Sequence, residues 1–234
     1  MSAQKKVKVK VCGITSIDDA RLAAEAGADY IGVIIEIDYS PRRLTVEQAL
    51  PICQQSTLPV VTVVFNWSAK QIQKMVSTLH PHAVQLLGQE PPSLVKNLKN
   101  IVTCELWKSI HLPPRGLGEV DIAEYRHRID SLIDAGIDAI LIDTVASSPQ
   151  GNRRYGGTGQ VSNWDIARKL VQATSVRTFL AGGINPQNIQ SAIELVRPYG
   201  IDLCNGVEST PGHKDAKKLH QLMLAIRRVV PIKR

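Results

Sequence analysis

Two side chains far apart in the chain are of the right type to move protons between them. One is the thiol of Cys12, at the end of "VKVKVC"; the other is the carboxyl of Asp143, at the end of "AILID". A thiol, with an ordinary pKa near about 8.5, becomes a base where positive charge or a helix terminus favours thiolate. A carboxyl kept protonated by partial burial becomes an acid. A base and an acid on opposite sides of one cleft suit a proton-moving isomerisation. Each residue alone has a plainer reading. A lone cysteine is commonly a small buried hydrophobe, and a strand-end aspartate is commonly a turn former or helix cap. Whether the chain brings them to one rim decides between the readings.

Three glycine-rich corners add a second kind of chemistry: "GGTG" (156–159), "AGGIN" (181–185) and "NGVE" (205–208). Glycine lets an anion approach the backbone closely, and a helix beginning after such a corner offers free N–H groups and partial positive charge. Gly157, Gly159, Gly182, Gly183, Asn205 and Gly206 are therefore candidate substrate-binding positions. Any one corner could be a plain turn. Three on one face point to a phosphorylated small molecule.

Alternating elements must position these residues. Short runs rich in Val and Ile are expected as strands at 7–12, 30–35, 59–65, 83–87, 101–107, 139–143, 177–181 and 201–205. Amphipathic stretches such as "SIDDARLAAEAGA" and "SAKQIQKMVSTL" separate them, with capping residues at their starts. Eight strand–helix units predict a single-domain closed (β/α)₈ TIM barrel over 1–234, with an open doubly wound sheet as the other arrangement. The unusual residues all sit in loops that follow strands, which a barrel gathers at its C-terminal face. That asymmetry points to an enzyme. Alternation within the first strand puts Lys8, Lys10 and Cys12 on one face and Val7, Val9 and Val11 on the other. With the valines toward the helices, Cys12 faces the barrel mouth and Lys10 lies one layer beneath, needing an acceptor or water. A one-residue slip would put both lysines outside.

Composition narrows the partners. The net charge of +7 is spread along the chain and aromatics make up only 4%, whereas nucleic-acid binders cluster charge and use aromatic stacking platforms. A small anionic substrate is expected, with no nucleic acid. No run approaches the roughly 20 apolar residues of a membrane span, and no apolar signal core follows the charged start. Four dispersed cysteines with no CxxC argue against zinc and disulfides, and for the reducing cytoplasm. The six histidines show no metal spacing, and no serine lies in a GxSxG elbow.

With these residues in view, the chain resembles the phosphoribosylanthranilate isomerases of tryptophan biosynthesis nearly end to end. The resemblance rests on "KVCGIT" (10–15), "SPRR" (40–43), "GGTG", "LAGGINPQNI" (180–189) and "GVESTPGHKD" (206–215), with weaker support from "GADYIGVI" and "AVQLLGQE". It implies a (β/α)₈ barrel with no metal or organic cofactor, monomeric or homodimeric, that performs an Amadori rearrangement. It further implies Cys12 as general base, Asp143 as general acid, Arg42 as holder of the anthranilate carboxylate, and phosphate against Gly157, Gly183 and Gly206. The chain departs from the family pattern at several places. It has "GVII" in the second strand and one residue more before "SPRR". Leu87 stands where a histidine is typical, Cys204 and Asn205 where small hydroxyl residues are common, and "VSNW" (161–164) replaces "FDW". Two other readings are a sugar-phosphate isomerase acting on a histidine-pathway ribotide, which would end the first strand in aspartate, and a non-catalytic barrel that binds a phosphorylated metabolite.

Overall fold

A computed structural model describes residues 6–113, 120–147, 153–155 and 161–229. Eight parallel strands form its centre: β1 (Lys8–Cys12), β2 (Tyr30–Ile35), β3 (Val60–Val64), β4 (Ala83–Leu86), β5 (Glu105–Leu112), β6 (Ala139–Ser147), β7 (Arg177–Leu180) and β8 (Gly200–Leu203). Eight helices follow them in turn: α1 (Ile17–Ala26), α2 (Val46–Gln55), α3 (Ala69–Leu79), α4 (Pro92–Lys99), α5 (Ile122–Asp134), α6 (Trp164–Ala173), α7 (Ile189–Val196) and α8 (Ala216–Arg228). The sheet closes on itself. β1 pairs with β2 through Cys12↔Gly32 and with β8 through Lys10↔Asp202. That closure removes the open doubly wound alternative.

Local chemistry starts the helices where the sequence places them. The hydroxyls of Ser16, Thr45 and Ser68 each accept the N–H of the residue three positions on, and Gln48 and Gln71 complete capping boxes at α2 and α3. Gly27 ends α1 in the left-handed conformation at φ 95°, a cost-free geometry only for glycine.

Packing forms three apolar regions, the third of them around Cys12 at the rim. Outward-facing residues such as Val9, Val11, Ile31, Val84, Ile140 and Ile201 join the helices in the main core. Inside the barrel, Tyr30, Val61, Ala83, Trp107, Ala139, Leu141 and Phe179 make a solid floor. Trp107 stacks on Phe179 at 4.9 Å, and Tyr30 meets both edge-on. Several of the chain's few aromatics thus seal the barrel, so chemistry is confined to the layers above.

Several boundaries differ from expectation, and the sixth strand runs on to Ser147 rather than ending at 143. The fifth strand occupies Glu105–Leu112, not 101–107, because Ile101 and Val102 turn back to the Leu98 carbonyl and finish α4. The eighth stops at Leu203, because Cys204 leaves the extended region (φ −132°, ψ −93°) to start a three-residue 3₁₀ turn, Asn205–Val207. Between that turn and α8 lies a hairpin of two short strands, Glu208–Thr210 and His213–Lys214.

Candidate active site

The inner face of β1 carries the expected triplet. Lys8 at the bottom pairs with Asp29 at 2.7 Å. Lys10 is fully buried, with Nζ 2.9 Å from Asp202 Oδ1. Cys12 is buried at the rim among Ile34, Ile37, Val63 and Leu87, with Phe65 and Cys204 packed against them. Gly32 is the neighbour of Cys12 on β2, and a Cβ there would lie 2.7 Å from Cys12 Sγ and 3.0 Å from Lys10 Nζ. The missing side chain is what leaves room for both heads. Burial pushes the Cys12 thiol up, and the ammonium of Lys10 opposes it. Asp202 adds to the rise, while Lys214 pulls the other way.

Asp143 stands on β6 beside His111 of β5, its register partner. Its Oδ1 accepts the Thr144 N–H at 2.7 Å. Burial pushes its pKa up to about 7; the Thr144 N–H opposes this, the Asp202 charge reinforces it, and Lys10 opposes it more weakly. Cys12 and Asp143 therefore share the field of one buried ion pair, Lys10–Asp202. His111 Nε2 lies 2.7 Å from the Leu87 carbonyl. A carbonyl only accepts, so that nitrogen carries hydrogen. Burial holds the ring's pKa down to about 4, leaving it neutral near the acid's strand.

Arg42 is buried and held from one side by Glu208. Its Nε and Nη2 grip Glu208 at 2.8 and 2.5 Å, which leaves Nη1 outside that clamp. Glu208 also accepts Lys214 Nζ at 2.8 Å and the Gly212 N–H at 3.2 Å, and the same Nζ donates to the Cys12 carbonyl at 2.6 Å. The clamp therefore ties the loop after β2 to the hairpin before α8 and to the backbone of the thiol. Sequence reasoning missed Asp202, Glu208, Lys214 and His111. Alternation along "GIDLC" was a usable signal for Asp202, since it shares a face with Cys204, and Glu208 and Lys214 lie within the "GVESTPGHKD" motif; His111 had none.

Two of the glycine corners meet, and one of them lies beside the acid. Gly182 and Gly183 have φ of 82° and 63°, and a Cβ on Gly182 would collide with Thr144 Oγ1 and stand 3.3 Å from Asp143 Oδ1. A Cβ on Gly206 would collide with the Ile184 carbonyl, so the corners after β7 and β8 pack backbone to backbone. Asn188 braces the first corner through Asn185 N–H and the Gly183 carbonyl, both at 2.9 Å. One expectation changes: α8 does not open onto the corner at Asn205 and Gly206, since the hairpin intervenes and Asp215 caps its first N–H groups. The 3₁₀ turn Asn205–Val207 is there instead. Gly157 and Gly159 lie outside the described residues. Among the described residues, no cluster of three His, Cys, Asp or Glu could hold a metal ion, and no helix is long and apolar enough to cross a membrane.

The family model described as N-(5'-phosphoribosyl)anthranilate (PRA) isomerase matches residues 9–225. The chain belongs to the N-(5'-phosphoribosyl)anthranilate isomerase family. A relative of that name from Methanocella arvoryzae is 34% identical, covering 94% of this chain and 98% of its own. One from Aquifex aeolicus is 36% identical, covering 93% and 97%. The solved phosphoribosyl anthranilate isomerase of Thermotoga maritima superposes with a TM-score of 0.78 at 29% identity, covering 94% of this chain and 98% of that one. Another solved isomerase, in complex with reduced 1-(o-carboxyphenylamino)-1-deoxyribulose 5-phosphate, gives 0.76 at 26% identity, covering 94% and 98%. Leucine occupies 87, and a histidine on the adjoining strand is hydrogen-bonded to that leucine's carbonyl.

Proposed function

We propose that this rim converts N-(5-phosphoribosyl)anthranilate into 1-(2-carboxyphenylamino)-1-deoxyribulose 5-phosphate, with Asp143 as general acid and Cys12 as general base. The observation that carries the reading is a closed barrel of this family in which Cys12 ends the strand that carries the buried Lys10–Asp202 pair, and Asp143 lies buried against the glycine corner at Gly182. Asp143 donates its proton to the furanose ring oxygen as the C1–O bond breaks, opening the sugar to an iminium. The positive nitrogen makes the C2 hydrogen acidic, and Cys12 takes it as thiolate, giving an enolamine that tautomerises to the ketone. The proton lost from C2 ends on sulfur and the one from Asp143 on the sugar hydroxyl, so the isomerisation is balanced.

Binding divides between two sides. The backbone at Gly182, Gly183, Asn205 and Gly206, with Gly157 and Gly159, is assigned to phosphate. Arg42 is assigned to the anthranilate carboxylate through Nη1, while Glu208 fixes its plane. Ile34, Ile37, Val63, Phe65 and Leu87 supply an apolar wall beside the thiol for the aryl ring. The free cysteines support a reducing compartment, the cytoplasm, and a monomer or homodimer fits the reading.

The test is turnover of phosphoribosylanthranilate generated in situ, followed by loss of anthranilate fluorescence. Cys12→Ser and Asp143→Asn are each expected to lower kcat by about 10²-fold or more with little change in KM. Full turnover by either variant sinks the assignment.

A further inference from the structure

We infer that the Lys10–Asp202 ion pair is the positioning device for the base, its ammonium set against the Cys12 thiol and its carboxylate holding that ammonium in place. This rests on the base and acid reading above and adds two residues that it leaves unexplained.

Lys10 is an odd occupant of a barrel interior. Its head is fully buried, and its partner Asp202 is nearly so. A buried ion pair is a poor way to gain stability, because desolvation offsets much of the attraction. Its placement is specific, however. Lys10 Nζ and Cys12 Sγ border the same small volume, the one opened by the absent side chain of Gly32. Other charged or titratable groups also surround the thiol. Arg42 is clamped by Glu208; Lys214 is held by that same Glu208 and by the Cys12 carbonyl; Cys204 is a second thiol, which burial pushes up to about 12. Lys10 is thus the cation whose only carboxylate partner among these groups, Asp202, belongs to the same layer of the barrel.

The ammonium lies against the thiol on the side that Gly32 leaves open. The reactive form of the free enzyme has its proton on Asp143 and none on Cys12, so forming it creates negative charge at the sulfur, beside the ammonium. Asp202, 2.9 Å from Nζ, keeps that ammonium in place.

Three variants test this. The double variant Lys10→Met/Asp202→Asn removes the pair without stranding a charge. Its Cys12 alkylation by iodoacetamide, resolved by peptide mass, is expected to move to higher pH by about one unit, with kcat down at least about tenfold. Asp202→Asn alone is expected to move alkylation to lower pH, because the opposing charge is gone, while the alkaline limb of kcat also moves lower. Lys10→Arg is expected to keep alkylation near that of the parent. A packing role for the pair would not produce opposite shifts. Unchanged alkylation profiles in folded double and Asp202→Asn variants, with Cys12 still essential, overturn the role of the pair alone. Turnover that survives Cys12→Ser overturns the base assignment beneath it.

Discussion

Arg42 and Glu208, 166 residues apart in the chain, hold each other through two parallel contacts of 2.8 and 2.5 Å in a setting almost without solvent. The pair explains how a loop arginine keeps one orientation at the mouth of a barrel. Burial works against the ionised form of Glu208, but hydrogen bonding from Arg42 and the charge and hydrogen bond of Lys214 outweigh it and hold the carboxyl below its ordinary range.

Removing one partner strands the other. Glu208→Ala is expected to cost about 3–5 kcal/mol of stability, read by urea unfolding. Arg42→Lys keeps the charge and loses the planar fork. It is expected to raise KM by about tenfold or more, with a smaller effect on kcat.

Asp143 makes activity and stability depend on pH in opposite directions near neutrality. Its carboxyl, pushed up to about 7, titrates below the raised Cys12 thiol, and the acid-plus-thiolate form exists only in the singly protonated pair, so kcat is expected to rise as pH passes through about 7 and to fall at higher pH as the second proton leaves. The unfolded carboxyl titrates near about 3.9. The folded state therefore binds the extra proton between those values, and its contribution to stability, complete below about 4, is lost as pH rises toward 7. Asp143→Asn is expected to be the more stable protein above pH 7, with the difference shrinking in acid. Denaturation curves at pH 5 and pH 8 check the sign.

Gly32→Ala probes the space above Lys10. The new methyl would stand 2.7 Å from the thiol sulfur and 3.1 Å from the Cys12 Cα. The backbone cannot yield, so the sulfur must turn away. An overpacking cost of about 1–3 kcal/mol is expected, with kcat falling more than KM rises. Wild-type kcat in this variant would show that the position of the thiol is not critical.

Gly206→Ala addresses the phosphate side. Its Cβ would run into the Ile184 carbonyl and push the two corners apart. A raised KM for the phosphorylated substrate and weaker protection of the protein by inorganic phosphate are expected, with the pH profile of kcat unchanged. Thermal melts with and without phosphate measure the second effect.

The sequence alone determined what depends on near neighbours. Alternation along "VKVKVC" placed Cys12 and Lys10 on one face, hydroxyl residues marked where α1, α2 and α3 begin, and the glycine corners stood out by type. These follow from residue periods and capping chemistry, which act over a few positions. Partnership was decided only by closure. Lys10 finds Asp202 192 residues away because β8 returns beside β1, and Arg42 is taken by Glu208 because a hairpin folds over the rim. His111 came to the rim because β5 begins later than its apolar run indicates, and nothing local distinguishes the end of a helix from the start of a strand in "NIVTCELW". Charges buried in a closed barrel choose partners by which strands lie side by side, and strand order is a property of the whole chain.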